Sequence, residues 1–149
     1  MPHWDYRSHT HVANASANPI WVSCLSDAAK SKKLLEELRL LAGQAELYNL
    51  KLLGFTLIQP RAYLKFFPPV YDDPNCRIHV TILQETESQM LPVCSDYCIW
   101  PNQSLIVSKQ GEVRLTLMGQ IWVEDDIYYD HRNHKSLDAE SVKKGPIIR

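Results

Sequence analysis

One stretch, residues 26–54, carries a helical period in a chain whose other apolar runs are all short. Leu34, Leu38, Leu41, Ala45, Tyr48 and Leu52 step by four, three, four, three and four. At 100° per residue that spacing draws one narrow apolar stripe along a helix. Ser26 or Asp27 can cap the start by accepting a backbone N–H, and Gly54 suits the left-handed position past the end. The spacing predicts one long amphipathic helix over 27–53, a rod of roughly 37 Å at 1.5 Å per residue. A lone helix of this kind has only a sheet to bury its stripe against. Gly43 weakens it by about 1 kcal/mol relative to alanine. Leu40 and Leu47, seven apart on the far side, are the predicted partner-binding residues. Lys30, Lys32 and Lys33 crowd the N-terminal end, where the helix dipole favours negative charge; they form a small basic patch suited to an acidic surface.

The remainder reads as strands. Residues 20–25 alternate, with Ile20, Val22 and Cys24 on one side and Trp21 on the other. Short β-rich runs follow at 55–58 and 62–67, ended by Pro60 and Pro68, and Asp72, Asp73, Pro74 and Asn75 supply turn chemistry. Residues 77–83 alternate most cleanly, Ile78, Val80 and Ile82 opposite Arg77, His79 and Thr81. A short edge strand is expected at 97–100. Residues 104–108 and 112–117 form a hairpin around Gly111, where positive φ is needed, and 120–123 is the last strand. Seven or eight short strands punctuated this regularly predict a mainly β fold, an antiparallel β-sandwich or barrel, with the helix as a crossover after the first strand. The predicted organisation is a flexible arm at 1–17, one β domain at 18–124 and a polar tail at 125–149.

The runs Asn18-Pro19-Ile20-Trp21-Val22, Gly54-Phe55-Thr56-Leu57-Ile58-Gln59-Pro60, Ser104-Leu105-Ile106-Val107 and Gly119-Gln120-Ile121-Trp122-Val123 resemble a family of small animal single-domain β proteins. The resemblance spans about residues 14–124. It implies the strand assignments, and brings no activity, cofactor or site. It also implies that the stretch between Asp27 and Gly54 is the variable part of the pattern, and so carries what is particular to this chain.

A chain of 149 residues is most simply one domain. Its net charge of −1 offers no electrostatic footprint for nucleic acid. No apolar run approaches 18 residues, the length of a membrane span. The opening residues lack a signal-peptide pattern, which predicts a cytoplasmic protein with its four cysteines reduced. Asn14 and Asn102 stand in glycosylation triplets, read as chance without an export signal.

Chemistry-bearing patterns are sparse. Cys94 and Cys98 are spaced C-x3-C, and His131 and His134 are spaced H-x2-H; thiolate and imidazole pairs of this kind can build a tetrahedral zinc site. The histidine spacing is one residue short of the usual one, and the expectation is no metal and no cofactor. His79 and Thr81 form one His-x-Thr unit, where the two-histidine phosphoesterases need two. There is no glycine-flanked serine elbow, and five glycines leave no room for a phosphate loop. The acidic cluster around Asp125, Asp126 and Asp130 lacks the ligands and glycine of a calcium loop. Trp21, Tyr63, Trp100 and Trp122 could stack on a ligand if they shared an exposed face.

The expected function is a non-catalytic interaction module, not an enzyme, that self-associates as a homo-oligomer or binds a protein partner through the helix. The alternative is a lipid- or small-ligand-binding β domain that uses Trp21, Trp122, Lys30, Lys32 and Lys33 against a ligand or a membrane surface.

Overall fold

The structure, a computed structural model, describes residues 6–41, 47–70 and 75–115. Its elements in chain order are β1 (Tyr6–Arg7), β2 (Thr10–Asn14), β3 (Ile20–Leu25), α1 (Ala28–Leu41), α2 (Leu47–Leu52), β4 (Thr56–Ile58), β5 (Ala62–Phe66), β6 (Pro69–Val70), β7 (Ile78–Glu85), β8 (Met90–Ile99), β9 (Leu105–Val107) and β10 (Val113–Leu115). The fold is mainly β. One four-stranded sheet has the order β10-β9-β2-β5, the other has the order β4-β3-β7-β8, and β1 pairs with β6 in a short ladder. Neither sheet closes into a barrel. The strand expected at 120–123 and the tail at 125–149 lie outside the described residues, as do Trp122, His131 and His134.

Alternation along the strands decides which side chains meet. Val12, Leu105 and Val107 of the first sheet share one core cluster with Ile20, Val22, Ile58, Ile78, Val80, Ile82 and Ile99 of the second. The opposite face of the second sheet is apolar as well. Trp21 and Leu83 pack there with Leu34 of α1, Leu50 of α2 and Phe55. The β4-β3-β7-β8 sheet is therefore covered on both sides, by the first sheet and by the helices. Trp21 is only 1% exposed, and its indole N–H donates to Glu85 Oε1 at 3.0 Å, the partner a buried indole needs.

Both helix ends form as the residues dictate. Asp27 Oδ1 accepts from the N–H groups of Ala29 and Lys30 at 2.9 and 3.2 Å. Gly54 takes φ 93°, its N–H donating to the Lys51 carbonyl at 3.0 Å. The single rod over 27–53 is not what the described residues form. In a straight helix Leu52 would share the face of Leu34, eighteen residues earlier, and Leu50 would lie about 160° away. Instead Leu34 and Leu50 are in one cluster, while Leu52 is 67% exposed. α1 and α2 thus bury different phases of the heptad-like pattern, and residues 42–46 between them lie outside the described residues. Leu38 packs at the margin of that cluster.

Two further expectations are corrected. The segment read as part of a flexible arm contains β2, an interior strand of its sheet, every residue of which is buried. Its polarity disguised it, because Thr10 and Asn14 are hydrogen-bonded internally. Asn14 is the clearest case. Its Nδ2 donates to the carbonyls of Asn18 and Ile58 at 2.8 and 3.1 Å, and its Oδ1 accepts from the Ser16 N–H at 3.0 Å and hydroxyl at 2.6 Å. The sheets are also not purely antiparallel. β2 runs parallel to β9, Val12 opposite Leu105 and Asn14 opposite Val107, a pairing that alternation alone cannot distinguish from an antiparallel one.

Three outcomes are expected from these contacts. Leu50→Ala destabilises by about 2–5 kcal/mol, and Leu52→Ala, two residues on, by no more than about 0.5 kcal/mol in chemical denaturation. Asn14→Asp destabilises by at least about 3 kcal/mol. It removes both donors and turns a buried carboxylate toward two carbonyl oxygens. A third concerns acid. Burial, with Lys65 and His9 adding positive charge nearby, holds the His11 imidazole down at about 3. The unfolded chain then takes up the proton first as pH falls below about 6.5, so this contribution to stability is complete above that value and fades toward pH 3. Between pH 7.5 and 5 the loss attributable to His11 is about 2 kcal/mol, measured as the difference in urea stability between wild type and His11→Gln at the two pH values.

Candidate functional site

The side chains with the most chemistry gather on the helix-facing side of β7 and β8. β7 alternates, with Ile78, Val80 and Ile82 turned to the inter-sheet core, so His79 and Thr81 belong to the other face. Directly opposed residues of an antiparallel pair share a face, and Cys98 stands opposite His79. Between them the ladder slips. Val80 pairs with Tyr97 but Ile82 with Cys94, leaving Ser95 and Asp96 together opposite Thr81. This is a β-bulge, and Asp96 sits in it with φ 50°. The Asp96 N–H, turned out of the regular ladder, donates to Thr81 Oγ1 at 3.0 Å.

The bulge aims the Asp96 carboxylate across the strand pair. Asp96 Oδ1 lies 2.8 Å from His79 Nδ1, and it accepts a hydrogen bond from the hydroxyl of Ser31 on α1 at 2.6 Å. Ser31 is itself almost fully buried. Cys98 Sγ lies 3.3 Å from the same His79 Nδ1 and 3.7 Å from the Asp96 carbonyl. One donor atom from each of His79, Asp96 and Cys98 falls within 4.8 Å of the other two. His79 and Asp96 are half-buried and Cys98 is exposed, so solvent reaches the group from one side. Arg77 stacks on Trp100, its guanidinium carbon 3.1 Å from the ring centroid.

The arrangement is not a nucleophile–base–carboxylate relay. In such a relay the thiol and the carboxylate use different nitrogens of the imidazole. Here both approach Nδ1, which holds at most one proton to share. The Cys98 thiol is moreover pushed up, by burial first and then by Asp96, against a smaller opposing effect of Arg77. An activated cysteine nucleophile needs the opposite shift.

The structure separates the other residues read from the sequence. Cys94 and Cys98 do not act as a pair. Four residues apart in a regular strand they would share a face, but the slipped ladder places Cys94 opposite Ile82, packed against the inter-sheet core, and Cys98 opposite His79. The Cys94 thiol donates to the Val80 carbonyl at 3.6 Å, and burial pushes it up to about 11. Cys24, packed beside the same core, is raised further by burial and by the nearby Cys94. Trp21 is in the core and offers no ligand-binding face. Lys30, Lys32 and Lys33 are exposed near the start of α1, and Leu40 is 79% exposed. The side chain of Leu47 lies outside the described residues. Asp96 belongs to no motif along the chain; its signal is an aspartate inside a β-rich run, a residue strands disfavour.

No family model, curated protein or solved structure matches the chain.

The inner and outer placement of the cysteines has a direct chemical readout. With a thiol-reactive probe on native protein at mildly alkaline pH, Cys98 is labelled well before Cys24 and Cys94, which react only on unfolding. Peptide mapping by mass spectrometry assigns the sites. Equal rates at Cys94 and Cys98 would put both thiols on one face and contradict the slipped register.

Proposed function

We propose that the protein is a non-catalytic interaction module, a β-sandwich that self-associates or binds a protein partner through its helical layer. The observation that carries this reading is the exposure of Leu40 on α1 at 79% and Leu52 on α2 at 67%. The helices already satisfy the sheet beneath them with Leu34 and Leu50, so these two leucines add nothing to the protein's own core. Their solvation is unfavourable by an amount that docking recovers, about 25 cal/mol for each Å² of apolar surface covered. No described helix is long and apolar enough to cross a membrane. The lipid-binding alternative keeps its three exposed lysines but loses Trp21, which is committed to the core.

The test is the mass in solution. Wild type sediments above monomer mass at high concentration or captures a protein partner. Leu40→Glu with Leu52→Glu sediments as a folded monomer, because charge placed in an apolar interface goes unpaired. Any stability difference between wild type and this variant vanishes on dilution, since only the associated state depends on concentration. A wild type that stays monomeric at high concentration removes self-association. A double variant that still binds everything wild type binds removes the helical layer as the interface.

A further inference from the structure

We propose that His79 Nδ1, Asp96 Oδ1 and Cys98 Sγ bind one zinc ion, with a fourth coordination position open to solvent. The proposal stands apart from the interaction surface and departs from the expectation of a metal-free chain. That expectation rested on C-x3-C and H-x2-H spacing; the ladder brings together a different set.

Four observations support it. First, the donor set is right in number and kind. An imidazole, a thiol and a carboxylate are three ligand types zinc accepts, and three protein ligands with an open fourth position is a recognised zinc arrangement. The sulfur argues against magnesium and calcium, which take oxygen ligands. Second, the spacing is close. Around a tetrahedral zinc, bond lengths of about 2.0–2.3 Å put nitrogen and oxygen about 3.4 Å apart and nitrogen and sulfur about 3.6 Å apart. The corresponding separations are 2.8 and 3.3 Å, each within about 0.6 Å of those values, and all three donor atoms lie within 4.8 Å of one another. Third, the carboxylate is positioned by groups that are not ligands. The buried Ser31 hydroxyl donates to it, and Thr81 Oγ1 holds the backbone of the bulge. Supporting shells of this kind orient ligands at metal sites. Fourth, Asp96 adopts a left-handed backbone that a non-glycine residue rarely takes. Such conformations persist where the surroundings enforce them and concentrate at functional sites.

Binding has a defined proton balance. The ion replaces the hydrogen bond between His79 and Asp96. The imidazole ligates through unprotonated Nδ1 and carries its proton on Nε2, while the Cys98 thiol releases its proton to solvent as sulfur binds the metal. Arg77 is engaged on the Trp100 ring.

The experiment uses the full chain, stripped with chelator and titrated calorimetrically with zinc chloride, and in parallel with cobalt(II) followed by absorption. Wild type should bind one zinc per chain with a dissociation constant of micromolar order or tighter. Its cobalt form should show a thiolate-to-cobalt charge-transfer band in the near ultraviolet. Cys98→Ser, His79→Gln and Asp96→Asn should each weaken zinc by at least about 10-fold, and Ser31→Ala by less. Cys94→Ser should leave affinity and the cobalt band unchanged. Circular dichroism checks the fold of each variant. The wild-type cobalt spectrum decides the thiolate ligand even where a variant fails to fold. No 1:1 binding by wild type, no charge-transfer band, or binding that survives in folded Cys98→Ser overturns the site. Loss on His131→Ala with retention in His79→Gln also overturns it, by assigning the metal to other histidines.

Discussion

The Asn14 side chain sets the relation between the two sheets. It stands at the end of β2, where the chain leaves one sheet, and Ile20 opens β3 in the other. Within that short passage the amide reaches the Asn18 carbonyl, the Ser16 N–H and hydroxyl, and the Ile58 carbonyl of β4. A buried amide with its donors and acceptor engaged is stabilising; one with either end orphaned is costly. The corner therefore has one satisfactory geometry. The flanking contacts depend on it: the Arg61 N–H donates to the Asn14 carbonyl at 2.7 Å and the Glu85 N–H to the Pro19 carbonyl at 2.9 Å, while Asn18 Nδ2 donates to the Glu85 carbonyl at 3.0 Å. Glu85 in turn receives the Trp21 indole. One amide thus fixes the crossing, the start of β3 and the end of β7.

From that corner the packing follows by alternation. Once β3 is seated, Ile20 and Val22 must face the first sheet and Trp21 must face away. A tryptophan on the outer face of a sheet needs cover, and α1 and α2 supply it. The helices follow the tryptophan rather than their own longest apolar stripe. This is why Leu50 is buried and Leu52 exposed, although Leu52 is the one that continues the phase of Leu34. Tertiary demand overrides the intrinsic pattern, as it commonly does for helices whose stability comes from packing.

Where sequence and structure agree, a local rule was sufficient. The alternation of β3 and β7, the Asp27 cap, the glycine past the helix end and the hairpin glycine at φ 81° are each decided within a few residues. Where they part, the deciding interaction is distant. β2 has too few apolar residues to be read as an interior strand; its partners are antiparallel β5, a parallel strand about 90 residues on, and buried polar groups such as the Ser104 hydroxyl. β8 hides for another reason. Its ten residues change phase midway, and Pro92 sits in it without breaking it because β8 closes the described order of its sheet. The His79, Asp96 and Cys98 group is a product of that register. Spacing along the chain singled out Cys98 with the wrong partner, and His79 with a motif that was incomplete.

The bulge in β8 has two consequences that come from one extra residue. A strand of period two keeps residues four apart on one side. Adding a residue opposite Thr81 reverses the side of Cys94, which enters the core while Cys98 does not; a second slip follows between Ile82 and Leu83. The same residue leaves the ladder, takes a left-handed backbone and turns its carboxylate toward His79 and Ser31. Without the insertion the strand would carry both cysteines on the face of His79. Bulges bend and re-aim strands wherever they occur; this one also determines which thiol is chemically available. The composition of the face is therefore set by register: Cys98 stays opposite His79 on the helix-facing side, while the slip sends Cys94 to the inter-sheet core.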